Sequence, residues 1–319
     1  MKKIKLIEVS SDLGGRKPGA SIGIDAIRIA SYNLETTKDF YTRFENLYTR
    51  INAPNDTYHL GYEYPFAKRI EDIFPLCQQT HRGVAASILE NDFTLVLSGD
   101  HSTAAGTIAG IKKVYPTKRL GVVWIDAHTD LHNPYTSESA NMHGMPLGTA
   151  INDNNLECKY NDIDNDTAEL WEKLRELGGT KDKLNMADVI YVAVRDYEDA
   201  EEYLIKKYNN KIYRTIDVHQ EGGEKIANKI MKDLEHCDII YISFDVDSMD
   251  PSVSVGTGTP FEDGLFEYEA KELLKALVSW NKVKCLEISE VNPLLDTENK
   301  MATTAFNIIK SICRVIDFR

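Results

Sequence analysis

The feature that most constrains this chain is a set of short runs, apolar almost without interruption, that stop at Asp or His. GVVWI leads into Asp126, IIYISF into Asp245, and LVLSGD into His101. A strand wetted on one face alternates apolar with polar residues, whereas a strand covered on both faces does not. These runs therefore predict a sheet with helices on either side. Strand-like runs fall at 3–9, 93–97, 120–125, 188–194, 238–244 and 283–288, and helix-like segments include 167–177, 222–234, 267–280 and 301–314. Strand alternating with helix predicts an α/β chain, a three-layer α/β/α arrangement around a mostly parallel central sheet. No internal repeat or linker divides it, so one domain is expected over 1–319. The Asn- and Asp-rich stretch 153–166 reads as a solvated excursion, and 52–62 as a surface loop.

Composition removes several classes of function. Over 319 residues, 50 Asp+Glu against 37 Lys+Arg leave a net charge of −13, which disfavours a nucleic-acid partner. No apolar run reaches the length of a membrane span, so no membrane partner is expected. The start, MKKIKLIEVSSDLGG, is broken by Lys5 and Glu8 and reads as a first strand rather than a signal peptide. Five cysteines without CxxC spacing argue against a disulfide framework and for a reducing, cytoplasmic setting. Cys237 and Cys285 read as buried small hydrophobes. His59, His81, His219 and His236 read as surface or structural residues.

The chemistry concentrates where predicted strands end, the place where open α/β sheets bind ligands. In extended DAHTD, alternation would turn Asp126, His128 and Asp130 to one side. Two carboxylates and an imidazole so placed repel and desolvate one another unless a cation lies between them. Asp245 and Asp247 repeat the pattern, and His101 completes six candidate ligands. Any one such Asp or His is as readily a loop residue or a helix cap, and D-x-D alone also fits a phosphatase nucleophile loop. Their joint occurrence points to metal. Six O/N donors without a thiolate exceed one tetrahedral zinc and suit Mn²⁺, with Fe, Co or Ni also admissible. Two ions about 3.5 Å apart would use all six and lower the pKa of a bridging water.

SGDHS, WIDAHTD, NMHGMPLG, SFDVDSMDP…GTGTP and EISEVNPLLD occur in the order of the signature blocks of the ureohydrolase family, which includes arginase, agmatinase, guanidinobutyrase and formimidoylglutamase. The resemblance runs from GASIGIDAIRIA to NKMATTAFNII. The spacing from Asp130 through Ser139 and Asn141 to His143, together with VRDYEDAEEYL, most resembles the arginase branch. The resemblance implies two Mn²⁺ held by His101, Asp126, His128, Asp130, Asp245 and Asp247. It also implies hydrolysis of L-arginine to L-ornithine and urea by a metal-bridging hydroxide, in a homo-oligomer, trimer or hexamer. The short segment after Ile309 leads us to expect no long tail wrapping a neighbour.

By the same resemblance, Glu290 pairs with the guanidinium, His143 moves a proton near the leaving group, and Thr259 lines the substrate pocket. Gly256 and Gly258 would allow a tight turn beside it. Ser139, Asn141 and His132 fall at positions for the substrate carboxylate; Glu198 and Glu201, supported by Asp196, fall on the amine side. Two residues depart from the arginase pattern: His132 stands where Asn is common, and Glu198 where Asp is common. These departures leave a second substrate open, formimidoylglutamate, agmatine or another guanidino acid. A catalytically silent amino-acid-binding relative is disfavoured, because all six ligands, Glu290 and His143 are present.

Overall fold

A computed structural model describes residues 3–33, 37 and 39–318; Met1 and Lys2 of the first predicted strand segment lie outside them. Its eight strands form one sheet: β1 (Ile4–Ser10), β2 (Tyr48–Asn52), β3 (Phe93–Ser98), β4 (Leu120–Ile125), β5 (Val189–Val192), β6 (Lys211–Tyr213), β7 (Ile239–Asp245) and β8 (Val283–Ser289). Their order is β2-β1-β3-β8-β7-β4-β5-β6, and every neighbouring pair is parallel.

Alternate residues of each central strand enter different cores. Leu95, Leu97, Val123, Ile125, Ile242 and Phe244 pack with the buried faces of α1 (Gly23–Tyr32), α7 (Gly223–Asp233), α8 (Glu267–Val278) and α9 (Lys300–Phe318). Val96, Val122, Trp124 and Tyr241 pack on the opposite side with α2 (Ile70–Glu90), α3 (Ala104–Val114) and α5 (Asp199–Tyr208). Two apolar faces on one sheet make the three layers, and they explain the unbroken hydrophobicity of the runs. The remaining helices, α4 (Asn165–Arg175) and α6 (Thr215–Glu221), lie before and after α5 in the chain.

The two edge strands, β2 and β6, were not among the runs read from sequence. YTRIN and KIY are only partly buried, so they lack the apolar signal of the centre. The stretch 153–166 is not simply solvated. Asn155 donates to the Ala200 carbonyl at 2.7 Å, and Asn161 donates to Pro134 and Ser137 carbonyls at 3.0 and 2.8 Å. Both asparagines are buried, and Asp164 caps α4 by accepting from the Thr167 amide at 2.7 Å. Its polar residues serve backbone groups of neighbouring loops. Cys237 and Cys285 are buried as expected. Among the described residues no helix is long and apolar enough to cross a membrane.

Candidate metal and substrate site

Four adjacent strands, β3, β8, β7 and β4, end side by side, and each delivers a polar residue at or just past its last ladder position. The register pairs Leu97 with Ile288, Asp245 with Ser289, and Ile125 with Phe244. With strands about 4.8 Å apart, His101, Glu290, Asp245 and Asp126 fall within one small volume. Gly99 permits the β3 end to turn in: a Cβ there would meet the Ser11 carbonyl oxygen at 2.1 Å.

The convergence is not made by strand alternation, as the DAHTD reading expected. The chain leaves β4 at Ile125, and Asp130 adopts a left-handed φ of 53°. Asp247 sits in a one-turn helix after β7, and its amide donates to Asp245 Oδ1 at 2.8 Å. Glu290 is also left-handed, with φ 67°. Such a backbone costs a non-glycine residue about 1–3 kcal/mol. Here a 2.7 Å bond from the Glu290 amide to the Gly99 carbonyl fixes it.

The donors form two groups that share Asp126. His101 Nδ1 lies 3.2, 3.0 and 3.1 Å from oxygens of Asp126, Asp130 and Asp245. His128 Nδ1 lies 3.4 Å from the other Asp126 oxygen and 3.1 Å from Asp247. The rear of His101 is fixed by a 2.7 Å bond between Nε2 and Ser243 Oγ and by stacking on Trp124 at 4.4 Å. Ser243 was not foreseen, although its place two residues before Asp245 puts it on the same strand face.

These residues fit divalent cations. His101 Nδ1 and Asp126 Oδ2 are buried without a hydrogen bond, although carboxylates crowd the imidazole nitrogen. Burial and the neighbouring Asp126 push Asp130 up to about 7. Burial, then Asp247 and Asp126, push Asp245 far above the carboxylate range. Burial would lower His101 and His128, yet the surrounding carboxylates raise both well above an ordinary imidazole. The donor cluster is short of positive charge. Another group, Asp188, His236 and Cys237, is close enough to hold an ion, but both Asp188 oxygens already take Arg119, at 2.7 and 2.8 Å.

Glu290 Oε1 accepts from the His101 amide at 2.8 Å and lies 3.2 Å from His143 Nδ1. The two residues assigned to the guanidinium and the proton thus touch. Burial would lower His143, but Glu290 raises it. Thr259 donates to Asp247 Oδ2 at 3.0 Å. The chain bends at 257–259, but neither Gly256 nor Gly258 has a positive φ, so no left-handed backbone demands glycine there. At Gly256 a Cβ would meet Asp296 at 2.7 Å.

A cavity of about 220 Å³ opens over the cluster and is lined by His143 and Thr259, by Ser139 and Asn141, and by Asp196, Glu198 and Glu201. Asp196 lies 3.6 Å from His128 Nε2. His132 is held from both sides: Nε2 is 3.3 Å from both Glu198 and Glu201, and Nδ1 is 3.3 Å from Thr136 Oγ1. Glu201 also takes a bond from Thr129 Oγ1 and accepts from the Leu131 and Glu198 amides at 3.2 and 3.0 Å. Arg195, likewise unforeseen, ties the loop after β5 to the one after β7 by donating to the Asp247 carbonyl at 3.0 Å.

Fold and site together define a three-layer α/β protein with a carboxylate–imidazole cluster of metal-ligand type at its strand ends. The Arginase family model matches residues 2–314, and the chain belongs to that family. It is 31% identical over 315 residues to arginase of Bacillus subtilis (strain 168), covering 98% of this chain and 97% of the relative. The solved structure of arginase from Bacillus caldovelox superposes with a TM-score of 0.79 at 28% identity, covering 98% of each chain. Formimidoylglutamase from Bacillus subtilis subsp. subtilis str. 168 superposes at 0.73 with 20% identity, covering 100% of this chain and 88% of that one. That last likeness is one of fold alone.

Proposed function

We propose that this arginase-family hydrolase cleaves the guanidino group of L-arginine to L-ornithine and urea with two divalent cations, Mn²⁺ in the first instance. The observation that carries this reading is Asp126, which offers one oxygen to the His101 group and the other to the His128 group. His101, Asp126, Asp130 and Asp245 would hold one ion, and Asp126, His128 and Asp247 the other. When bound, such a pair supplies the Lewis acidity that makes hydroxide available at neutral pH.

The chain's own residues supply the remainder. A guanidinium carbon is a poor electrophile, so its planar group must be held and its leaving amine protonated. Glu290, buried and anchored by the His101 amide, presents a carboxylate that matches the planar fork. His143, in contact with Glu290, can carry the proton to the leaving nitrogen. Ser139 and Asn141 face the carboxylate end, and Glu198 with Asp196 face the amine end. Asp130 orders the cluster through His101.

Purified protein loaded with Mn²⁺ should release urea from L-arginine, and Asp126→Ala or Asp245→Ala should abolish it. A sibling substrate, formimidoylglutamate, agmatine or another guanidino acid, is the second reading. It is favoured by His132, whose ring nitrogens are both engaged by protein groups. Turnover of one of those compounds and not arginine would select it. We read the working form as a cytoplasmic homo-oligomer.

A further inference from the structure

A permanently charged cation stands at the mouth of the reaction cavity, and nothing above gives it a role. Arg16 is the one Lys or Arg among the residues lining that cavity. It also lines a second cavity of about 390 Å³ that shares Ser139 and Asn141 with the first. Lys68 and Arg69 line this side cavity too, and its one acid is the exposed Glu138. None of the three cations is ion-paired among the described residues, in a chain whose net charge is −13. With Arg69 buried in the scaffold, Arg16 and Lys68 make a locally positive opening in an otherwise acidic protein.

The backbone beneath Arg16 is anchored. Tyr58 Oη donates to the Arg16 carbonyl at 2.8 Å. The buried Arg69 guanidinium lies 4.2 Å above the Tyr58 ring and donates to the Leu13 and Tyr58 carbonyls at 3.2 and 3.1 Å. The His143 amide donates to the Gly14 carbonyl at 3.1 Å, and the Lys68 amide to the Ala140 carbonyl at 3.0 Å. The loop carrying Arg16 is therefore tied to His143, and the helix start carrying Lys68 to the Ser139–Asn141 segment. Arg69 turns its two terminal nitrogens to this scaffold, leaving Arg16 as the guanidinium at the junction without a bond or ion pair among the described residues.

We propose that Arg16 is a specificity-determining residue that receives the α-carboxylate of the guanidino substrate, with Lys68 raising the local positive potential. The proposal rests on the guanidino-acid reading. His132, at the position expected to serve that carboxylate, faces Glu198 and Glu201, whereas Arg16 has a fork of donors uncommitted and a carboxylate is its natural partner. Ser139 and Asn141 line both cavities together with Arg16 and would share the carboxylate.

The test compares ligands that differ only in that carboxylate, on the Mn²⁺-loaded full chain. Arg16→Gln should raise KM for L-arginine about tenfold, a charge-assisted bond lost, with kcat held within about twofold. The preference for arginine over agmatine should fall by the same factor. Arg16→Lys should recover part of it, and Lys68→Gln should give a smaller shift in the same direction. Titration calorimetry with L-ornithine and with putrescine reads the same contrast without turnover. If the wild type hydrolyses neither arginine nor agmatine, the proposed function fails, yet ornithine affinity falling about tenfold in Arg16→Gln still supports the carboxylate role. Equal losses for both members of a pair, an unchanged arginine KM, or no binding of ornithine to the wild type would overturn it. Thermal midpoints of the unliganded variants guard against misfolding.

Discussion

The donor cluster and the recognition wall meet in one cavity but are built on different principles. The cluster hangs from the ends of four hydrogen-bonded strands, and its residues are mutually crowded and, apart from partly exposed His128, buried. The proposed recognition wall is carried by the loop from Leu131 to Asn141 and by the segment running from Asp196 into the first turn of α5 at Glu201, whose shape depends on side chains far away in sequence. Asn161 holds the Pro134–Ser137 turn, and Glu201 holds Thr129, Leu131 and His132. A sheet fixes position through its backbone, and a loop fixes it through whichever polar groups reach it. Removing a group should therefore abolish chemistry in the first region and tune selectivity or stability in the second.

The largest effect separates metal from fold. Asp245→Asn should lose activity and most metal affinity. With metal stripped by chelator it should nonetheless melt several degrees higher than wild type, because the folded state raises the pKa of Asp245 and its charge opposes folding above the unfolded value of about 3.9. A melting scan at neutral pH with and without Mn²⁺ reads this, and a lower metal-free midpoint would break the contrast. Next, Glu290→Gln should lower kcat/KM by about 10²–10⁴-fold while leaving bound metal intact. Parallel loss of metal would mean that Glu290 belongs with the ligands.

Smaller effects belong to the recognition wall. Burial opposes it, but Glu201 and Glu198 raise the pKa of His132, so its ion pair is fully present below about pH 6.5 and fades as pH climbs through the raised value. Glu201, lowered by His132 against its own burial, keeps its charge toward acid. The stability lost in His132→Asn should therefore shrink on moving from about pH 6 to about pH 9, as denaturant titrations at the two pH values would show. The smallest expected change is Asn161→Ala, which frees two buried carbonyls. It should cost about 1–3 kcal/mol of stability and raise KM more than it lowers kcat.

The same contrast explains what could be read beforehand. The central strands, the sheet class and all six donors were legible, because burial on two faces leaves an apolar signature and crowded Asp and His have few bland explanations when they recur. The edge strands were not, since YTRIN and KIY are half wet. Nor was the bend at Asp130, because no local pattern marks a left-handed Asp. Ser243 and Arg195 act through partners set by the fold, and the role proposed for Arg16 depends on the fold in the same way: Ser243 is an ordinary strand residue until His101 arrives behind it, and Arg16 is an ordinary loop cation until the fold places it in one cavity with Asn141.

The account stands on Asp126 serving two ions at once. Manganese-edge anomalous diffraction from Mn²⁺-loaded crystals measures this most directly. Two peaks about 3.5 Å apart are predicted, one against His101, Asp126, Asp130 and Asp245 and the other against Asp126, His128 and Asp247. A single peak, or density that leaves Asp126 unligated, would contradict it.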